Sequence, residues 1–98
     1  MSDTYTFFEF YIPERMMGGI RRWIDHGIEP GDFLQAVIQN DLRGAVGLAD
    51  DENKRNLPAY VGYFYNEAPR GCWGYEGAIK EWQEKKERER EALRVNAK

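Results

Sequence analysis

The first third of the chain changes its hydrophobic period at Pro13. Aromatic and β-branched residues partly alternate with polar residues over 4–12, which predicts an extended segment. A proline fits the first position of a helix, so Pro13 can open the helix that follows. That helix is predicted to run from Glu14 to His26 and to stop at Gly27, a typical left-handed cap. Its apolar face holds Met16, Met17, Ile20, Trp23 and Ile24.

Helical spacing resumes after a turn at Pro30 and Gly31. Asp32 is the expected N-cap of a second helix, because its carboxylate can accept hydrogen bonds from the free amides of the first turn. We expect this helix to continue, with a kink, through residues 44–49, where each glycine lowers helix propensity by about 1 kcal/mol. Its apolar positions are Phe33, Leu34, Val37, Ile38 and Leu42.

A third helix is predicted from Asp50 onward, with Pro58 bending it. Proline and two glycines mark residues 69–74 as a tight loop. A last helix is expected to begin at Tyr75, and after Trp82 it becomes almost continuously charged, which is typical of a solvated helix. The buried face of the third helix is expected to hold Leu57, Tyr60, Val61, Phe64 and Tyr65.

These elements predict a mainly α fold, a small helical bundle with a short extended N-terminal segment. The chain has 98 residues, of which 42% are hydrophobic, so it can bury one core but not two. We therefore expect a single domain over residues 1–98. It divides into an extended segment (4–12), a helical core (13–83) and a charged helical tail prone to fraying (84–98).

The charge and composition limit the classes of partner. A formal net charge of −3 argues against a protein that grips long DNA or RNA. No apolar run reaches the roughly twenty residues needed to cross a bilayer, so we expect no membrane partner. Cys72 is the only cysteine, and the N-terminal sequence lacks the pattern of a secretion signal, which together favour a reducing cytoplasm.

The residue types of common enzyme sites are scarce. Ser2, Thr4 and Thr6 are the only hydroxyl residues besides tyrosine, which argues against a serine hydrolase. One histidine and one cysteine cannot form a zinc site of nitrogen and sulfur ligands within one protomer. We therefore expect no catalytic residue, no metal and no cofactor. The acidic residues that could suggest a divalent-metal site fit helix capping better: Asp41, Asp50, Asp51 and Glu52.

Three cations lie on one side of the first helix. Arg15, Arg22 and His26 are seven and four positions apart, and the pair Gly18-Gly19 lets another surface approach the helix backbone. This arrangement could hold two phosphates. The alternative is that the arginines are solvated and that His26 complements the helix C-terminus.

Aromatic residues precede that helix. Tyr11 comes before the Ile12-Pro13 step, where the backbone is held extended, and its ring could stack on a purine; Phe8 is a second candidate for a ligand contact. The alternative is that these rings belong to the core. Near the other end of the chain, Arg70 is a candidate for a second anion contact. Cys72 could be a reactive thiol if His26 lay beside it, but a structural turn is the simpler interpretation.

A series of short motifs is spread over residues 8–82. They are Ile12-Pro13-Glu14-Arg15-Met16, Gly27-Ile28-Glu29-Pro30-Gly31-Asp32-Phe33-Leu34-Gln35-Ala36-Val37, Asn40-Asp41-Leu42, Ala49-Asp50, Tyr63-Phe64-Tyr65-Asn66, Pro69 and Cys72-Trp73-Gly74. Together these motifs resemble a family of small phage proteins, the anti-CBASS cyclic-oligonucleotide sponges.

The resemblance implies a function and an assembly. It implies a helical homo-oligomer, a hexamer, in the cytoplasm of an infected bacterium. Such a protein sequesters cyclic dinucleotides such as cGAMP, and in separate pockets cyclic trinucleotides, without cleaving them. Suicidal CBASS effectors would then lack their activator.

The resemblance also assigns roles to residues. It implies that Tyr11 stacks on a base, and it places His26 where the family pattern has a phosphate-binding lysine. Because of that departure, Arg22, one turn earlier, is expected to share or replace the phosphate contact. Arg70 is the one candidate for the trinucleotide pocket. If His26 binds phosphate, affinity should rise at mildly acidic pH, where the imidazole gains its charge.

A second function remains open from the residues themselves. The surface formed by Met16, Met17, Gly18 and Gly19 could instead block a host defence protein by direct contact. In that case the chain would be a phage inhibitor that binds no nucleotide.

Overall fold

The computed structural model describes residues 5–96. Over these residues the chain forms a two-stranded hairpin followed by six helices, so the predicted mainly α fold is confirmed. The strands are β1 (Tyr5–Phe7) and β2 (Phe10–Ile12). The helices are α1 (Glu14–His26), α2 (Asp32–Ile38), α3 (Leu42–Leu48), α4 (Asp51–Arg55), α5 (Leu57–Asn66) and α6 (Ala78–Asn96).

The predicted extended segment is a tight antiparallel hairpin. Tyr5 pairs with Ile12, and Phe7 pairs with Phe10. Phe8, in the turn, has a φ of 56°, a conformation that glycine or asparagine usually occupies. Because the turn contains neither, the sequence carried no signal for a reversal here. Ser2 and Thr4 lie outside the described residues.

Helix α1 follows the local signals in the sequence. Pro13 precedes its first turn, and Gly27 ends it in the left-handed region with a φ of 68°. The Gly27 amide donates to the Trp23 carbonyl at 2.9 Å, which satisfies one of the last free carbonyls of the helix. Met17, Ile20 and Trp23 are buried, as the apolar spacing predicted.

The second predicted helix is two helices separated by a reversal. Gly31, not Asp32, is the N-cap of α2, and Asn40 has a φ of 61° between α2 and α3. The Asp41 amide donates to the Ala36 carbonyl at 2.8 Å, and the Asp41 carboxylate caps α3 by accepting from the Gly44 amide. The prediction that one helix continues with a kink through residues 44–49 is therefore wrong, because the chain reverses at Asn40 before α3 begins. Leu42, one of the apolar positions of the predicted helix, is 70% exposed.

The third predicted helix is also divided, at Asn56. Asp50 caps α4 as predicted, and Pro58 sits in the first turn of α5, where it interrupts no helical hydrogen bond. Tyr60 and Phe64 are buried, but the prediction that Val61 and Tyr65 are buried is wrong, since they are 50% and 79% exposed. The hairpin packs instead on Gly62, which lies against the ring of Phe7, and on Tyr63, whose ring is edge to face with Tyr5.

Two tryptophan indoles join α1 to the loop at residues 67–77 and to α6. The Trp23 indole N–H donates to the Cys72 carbonyl at 3.0 Å. The Trp82 indole N–H donates to the carbonyls of Trp23 and Ile24 at 3.0 and 3.2 Å. Trp73 stacks on Phe64 with ring centroids 5.4 Å apart. The buried side chains of the described chain form a single cluster, from Ile12 to Trp82.

The last helix begins at Ala78, three residues later than predicted. The charged tail is helical to Asn96, and its side chains from 84 to 95 are exposed apart from the half-buried Lys86. Ion pairs three residues apart run along it, as between Glu87 and Arg90 at 2.7 Å. Residues 97 and 98 lie outside the described chain. None of the helices within 5–96 has both the length and the apolar character to cross a bilayer.

Two helical glycines make a matched test of the packing between hairpin and α5. A Cβ added at Gly62 would lie 2.6 Å from Cδ1 of Phe7, whereas one added at Gly47 would meet no atom within 4 Å. We expect Gly62→Ala to lower the free energy of unfolding by about 1–3 kcal/mol through overpacking. Gly47→Ala should raise it by about 0.5–1 kcal/mol through helix propensity.

Urea unfolding of the two variants beside the wild type measures both changes. Equal stabilisation by the two alanines would show that Phe7 does not pack on α5 in solution.

Candidate ligand-binding site

Tyr11 lies on the outward face of the hairpin and is held from two directions. Side chains alternate along a strand, so Phe10 and Ile12 face the core while Tyr11 faces away and remains 37% exposed. Its backbone N–H donates to Oδ1 of Asn56 at 2.9 Å. Its hydroxyl donates to Oε2 of Glu52 at 2.7 Å. The segment around α4 therefore fixes both the backbone and the ring of this tyrosine.

Arg15 meets the same carboxylate from the first turn of α1. Its Nη2 lies 3.1 Å from Oε1 of Glu52 and 2.9 Å from Oδ2 of Asp50. We call the four residues Tyr11, Arg15, Asp50 and Glu52 the Glu52 junction. Two carboxylates against one guanidinium leave the junction with a net negative charge. Arg15 can therefore contact an added phosphate only in competition with Asp50 and Glu52.

The hydrogen bonds of the junction shift the pKa values of its members. The bond donated by the Tyr11 hydroxyl, together with Arg15, holds the pKa of Glu52 below its ordinary value, and the same bond to Glu52 raises the pKa of Tyr11. The backbone N–H of Asn53 donates a hydrogen bond to the Asp50 carboxylate, which lowers the pKa of Asp50, and Arg15 lowers this pKa further. At neutral pH both carboxylates are therefore charged, and the phenol keeps its proton.

A groove lies between α1 and the loop that leads to α2. Arg15, Gly19 and Arg22 line one wall and residues 28–31 line the other, around a space of about 400 Å³. The guanidinium of Arg22 folds back over α1, so a Cβ at Gly18 would lie 3.1 Å from its Nη1. Arg15 and Arg22 are two turns apart, or about 10 Å along the helix axis. The pair predicted from their spacing thus shares one groove.

Arg22 differs from Arg15 in its partners. The side chain is exposed, and no carboxylate within residues 5–96 forms an ion pair with it. Because the full charge of Arg22 faces the groove, it is better placed than Arg15 to receive an anion.

His26 lies at the opposite end of α1 from Tyr11. The helix between them is about 18 Å long, so the two side chains do not meet within one chain. His26 is exposed, and its carbonyl accepts a hydrogen bond from Arg90 at 2.9 Å. A Cβ at Gly27 would lie 3.2 Å from Cβ of Lys86, so α6 packs closely against this corner.

Phe8 and Arg70 occupy other parts of the surface. Phe8 is 84% exposed in the turn of the hairpin and packs edge to face on Phe7, with ring centroids 4.8 Å apart. Arg70 lines a separate pocket with Tyr75, Lys85 and Arg88. The structure therefore does not bring either residue to the Glu52 junction.

The remaining candidates have structural roles. Met17 is 3% exposed and Met16 packs against the core, so the expected apolar docking surface of Met16, Met17, Gly18 and Gly19 is not available. Cys72 is fully buried, and burial raises the pKa of its thiol to about 11. Among residues 5–96 no three histidine, cysteine or acidic side chains converge into a possible metal site.

Sequence reasoning missed the role of α4. It treated Asp50 and Glu52 as helix caps, which is right for Asp50 but omits the contacts to Tyr11 and Arg15, 35–41 residues away. Asn56 was not singled out, although it is buried and holds the Tyr11 backbone. The sequence signal for this role is the run of polar residues from 50 to 56, which directly precedes the mostly apolar helix α5.

No protein family, curated protein or solved structure matches this chain. The interpretation of the site therefore depends on its own geometry and on the motifs within the sequence.

The junction predicts how stability depends on pH. The ordinary pKa values are 4.5 for Glu52 and 3.8 for Asp50, and both are lower in the folded chain. Their contribution is therefore complete above these ordinary values and is lost as pH falls through the folded ones. We expect the Tm of the wild type to exceed that of Arg15→Met at pH 7, and this difference to shrink toward about pH 3.

Thermal unfolding across this pH range measures the difference, with Arg43→Met as the control for loss of one exposed arginine. A Tm difference between wild type and Arg15→Met that stays constant with pH would contradict the ion pair.

Proposed function

We propose that this protein binds cyclic oligonucleotide messengers and sequesters them without cleaving them. The observation that carries the proposal is the placement of Tyr11: a partly exposed aromatic ring on a strand, joined through Glu52 to Arg15, which lines a groove together with Arg22. A ligand with bases and phosphates needs these two kinds of contact close together. The motif resemblance to anti-CBASS sponges supports the same ligand class.

The groove supports the phosphate part of the proposal. Its volume of about 400 Å³ falls within the range of small-molecule sites in proteins, roughly 300–1,000 Å³. Arg22 supplies a guanidinium that forms no ion pair within residues 5–96 and can bind a phosphate through two parallel hydrogen bonds. Arg15 is a secondary phosphate contact, because a phosphate must first displace the carboxylate of Asp50 or Glu52 from its guanidinium.

The separation of Tyr11 and His26 supports an assembly with two-fold symmetry. If both contact one ligand, they come from different protomers, since α1 keeps them about 18 Å apart in one chain. Two protomers related by a two-fold axis would offer each half of a cyclic dinucleotide the same pair of residues. A hexamer in the cytoplasm of an infected bacterium would contain three such pairs.

Sequestration without turnover agrees with the chemistry of the site. Cys72 cannot attack a ligand from its buried position. A sponge needs affinity and abundance, and no activated nucleophile.

A second candidate function rests on a different surface. Phe7, Val61, Gly62 and Tyr65 line an apolar groove of about 400 Å³ outside α5, next to the exposed Phe8. Exposed apolar surfaces of this kind often mark protein contacts. Direct blocking of a host defence protein would use this surface instead of the one at Met16 and Met17.

Calorimetry with a panel of cyclic di- and trinucleotides that includes cGAMP tests the proposal. We expect tight binding, and release of intact ligand when the complex is heat-denatured and analysed by chromatography. Altered ligand would identify an enzyme. Absence of binding across the panel would refute the sponge and favour the protein-blocking function.

Paired substitutions separate the two functions. We expect Tyr11→Ala to weaken nucleotide binding about tenfold to a hundredfold, the usual loss for one stacked base, with the fold and oligomeric state retained. Tyr65→Ala, the matched control, removes an equally large exposed ring and should leave nucleotide affinity unchanged. A protein blocker would show the reverse pattern in a host-protein binding assay.

Arg22→Ala tests the phosphate contact. We expect an affinity loss of about tenfold or more, because a charged hydrogen bond contributes roughly 1.5–3 kcal/mol. Arg43→Ala removes an exposed arginine on α3 and controls for net charge. Equal small losses in both variants would mean that only long-range attraction is involved.

His26→Lys tests the corner at the end of α1. If His26 contacts phosphate, the lysine variant should bind at least as tightly as the wild type, because lysine brings a full charge to the same position. Calorimetry with cGAMP measures the two affinities. Weaker binding by the lysine variant would contradict a phosphate contact at His26.

A further inference from the structure

We propose that Glu52 is the positioning residue of the binding site: it holds the Tyr11 ring in the orientation that stacks on a base of a cyclic dinucleotide, and it keeps Arg15 engaged so that Arg22 is the first phosphate contact. This inference rests on the proposed function. Glu52 itself touches no ligand and acts through the two side chains that it holds.

One carboxylate engages both contacts at once. Oε2 accepts the hydrogen bond from the Tyr11 hydroxyl at 2.7 Å, and Oε1 lies 3.1 Å from Nη2 of Arg15. Tyr11 and Arg15 belong to β2 and α1, and Glu52 is 37 or more residues further along the chain. Tyr11 and Arg15 are four residues apart, so the backbone sets the distance between their Cα atoms, and the shared carboxylate fixes the orientations of the ring and of the guanidinium.

The helix that carries Glu52 is itself anchored in the core. The next residue, Asn53, is 4% exposed, and its Oδ1 accepts from the Tyr60 hydroxyl at 2.5 Å. Asn56 is 5% exposed, and its Nδ2 donates to the Glu52 carbonyl at 2.9 Å. The Glu52 backbone is therefore fixed by two buried amides, and the carboxylate extends from a rigid base.

This arrangement leaves the stacking surface of Tyr11 usable. A phenol hydrogen bond lies at the edge of the ring, so it fixes the ring without covering its faces. Ordering a free side chain on binding weakens affinity, and a side chain that is already ordered avoids that loss. The acidic pair also occupies Arg15, which leaves Arg22 as the first cation that a phosphate meets.

Tyr11→Phe is the central test, because it keeps the ring and removes only the hydroxyl. With cGAMP as the probe, we expect calorimetry to show affinity weakened about threefold to tenfold, with unchanged binding stoichiometry. Equal affinity for the phenylalanine variant and the wild type would overturn the positioning role, even where Tyr11→Ala abolishes binding.

A matched pair on α4 separates positioning from general electrostatics. Glu52→Ala and Asp51→Ala each remove one negative charge from neighbouring residues of the same helix, and Asp51 is exposed. Long-range electrostatics predicts tighter phosphate binding for both variants. Positioning predicts weaker binding for Glu52→Ala alone, with Asp51→Ala equal to or tighter than the wild type. Tightening in both variants would overturn the proposal.

Rescue by a conservative variant excludes a merely structural role. Glu52→Gln keeps an oxygen that can accept from Tyr11, so it should recover part of the affinity lost in Glu52→Ala. Unfolded protein would appear as lower Tm and lower stoichiometry, with an unchanged Kd for the remaining sites. If Glu52→Gln binds no better than Glu52→Ala, the hydrogen bond to Tyr11 is not the cause.

The outcomes distinguish this inference from the function on which it rests. If the wild type binds no nucleotide of the panel, both proposals fail. If the wild type binds cGAMP and Tyr11→Phe binds it equally, only the role of Glu52 fails.

Discussion

The fold depends on two buried indole N–H groups that must each find an acceptor. Trp23 donates to the Cys72 carbonyl, and Trp82 donates back to the carbonyls at the end of α1. A buried donor without a partner costs roughly 1–3 kcal/mol, so these bonds leave little freedom in how the elements pack. They join α1, the loop at 67–77 and α6 across 49 and 59 residues of sequence. The hairpin and α4 meet the other end of α1, where Tyr11 and Arg15 contact Glu52.

The length of helix α1 therefore sets the distances between the residues of the proposed site. The helix separates Tyr11 from His26 by its own length and spaces Arg15 and Arg22 along one groove. Sites built on helices and strands hold their geometry better than sites on loops. Helix α4 complements it, because its buried asparagines anchor the carboxylates that hold Tyr11 and Arg15. This division explains why a chain with net negative charge can still offer a phosphate contact, since the acidic residues of the junction neutralise only one of the two groove arginines.

The apolar groove outside α5 results from the way the hairpin packs on that helix. The ring of Phe7 lies so close to Gly62 that no Cβ would fit between them. The hairpin therefore covers one side of α5 and leaves Val61 and Tyr65 exposed. The proposed nucleotide site and the apolar groove outside α5 thus lie on different parts of one small molecule, and substitutions can address them separately.

The sequence by itself determined the features that depend on neighbouring residues. The start of α1 at Pro13, its end at Gly27, its buried face and the cap at Asp50 follow from backbone preferences and local hydrogen bonds. The same reasoning found the spacing of Arg15 and Arg22 and selected Tyr11. Only the tertiary structure decided the reversal at Asn40, the exposed side of α5 and the contacts of Glu52. These features depend on which distant surfaces meet, and a linear pattern records the period of a helix but not the neighbour that covers it.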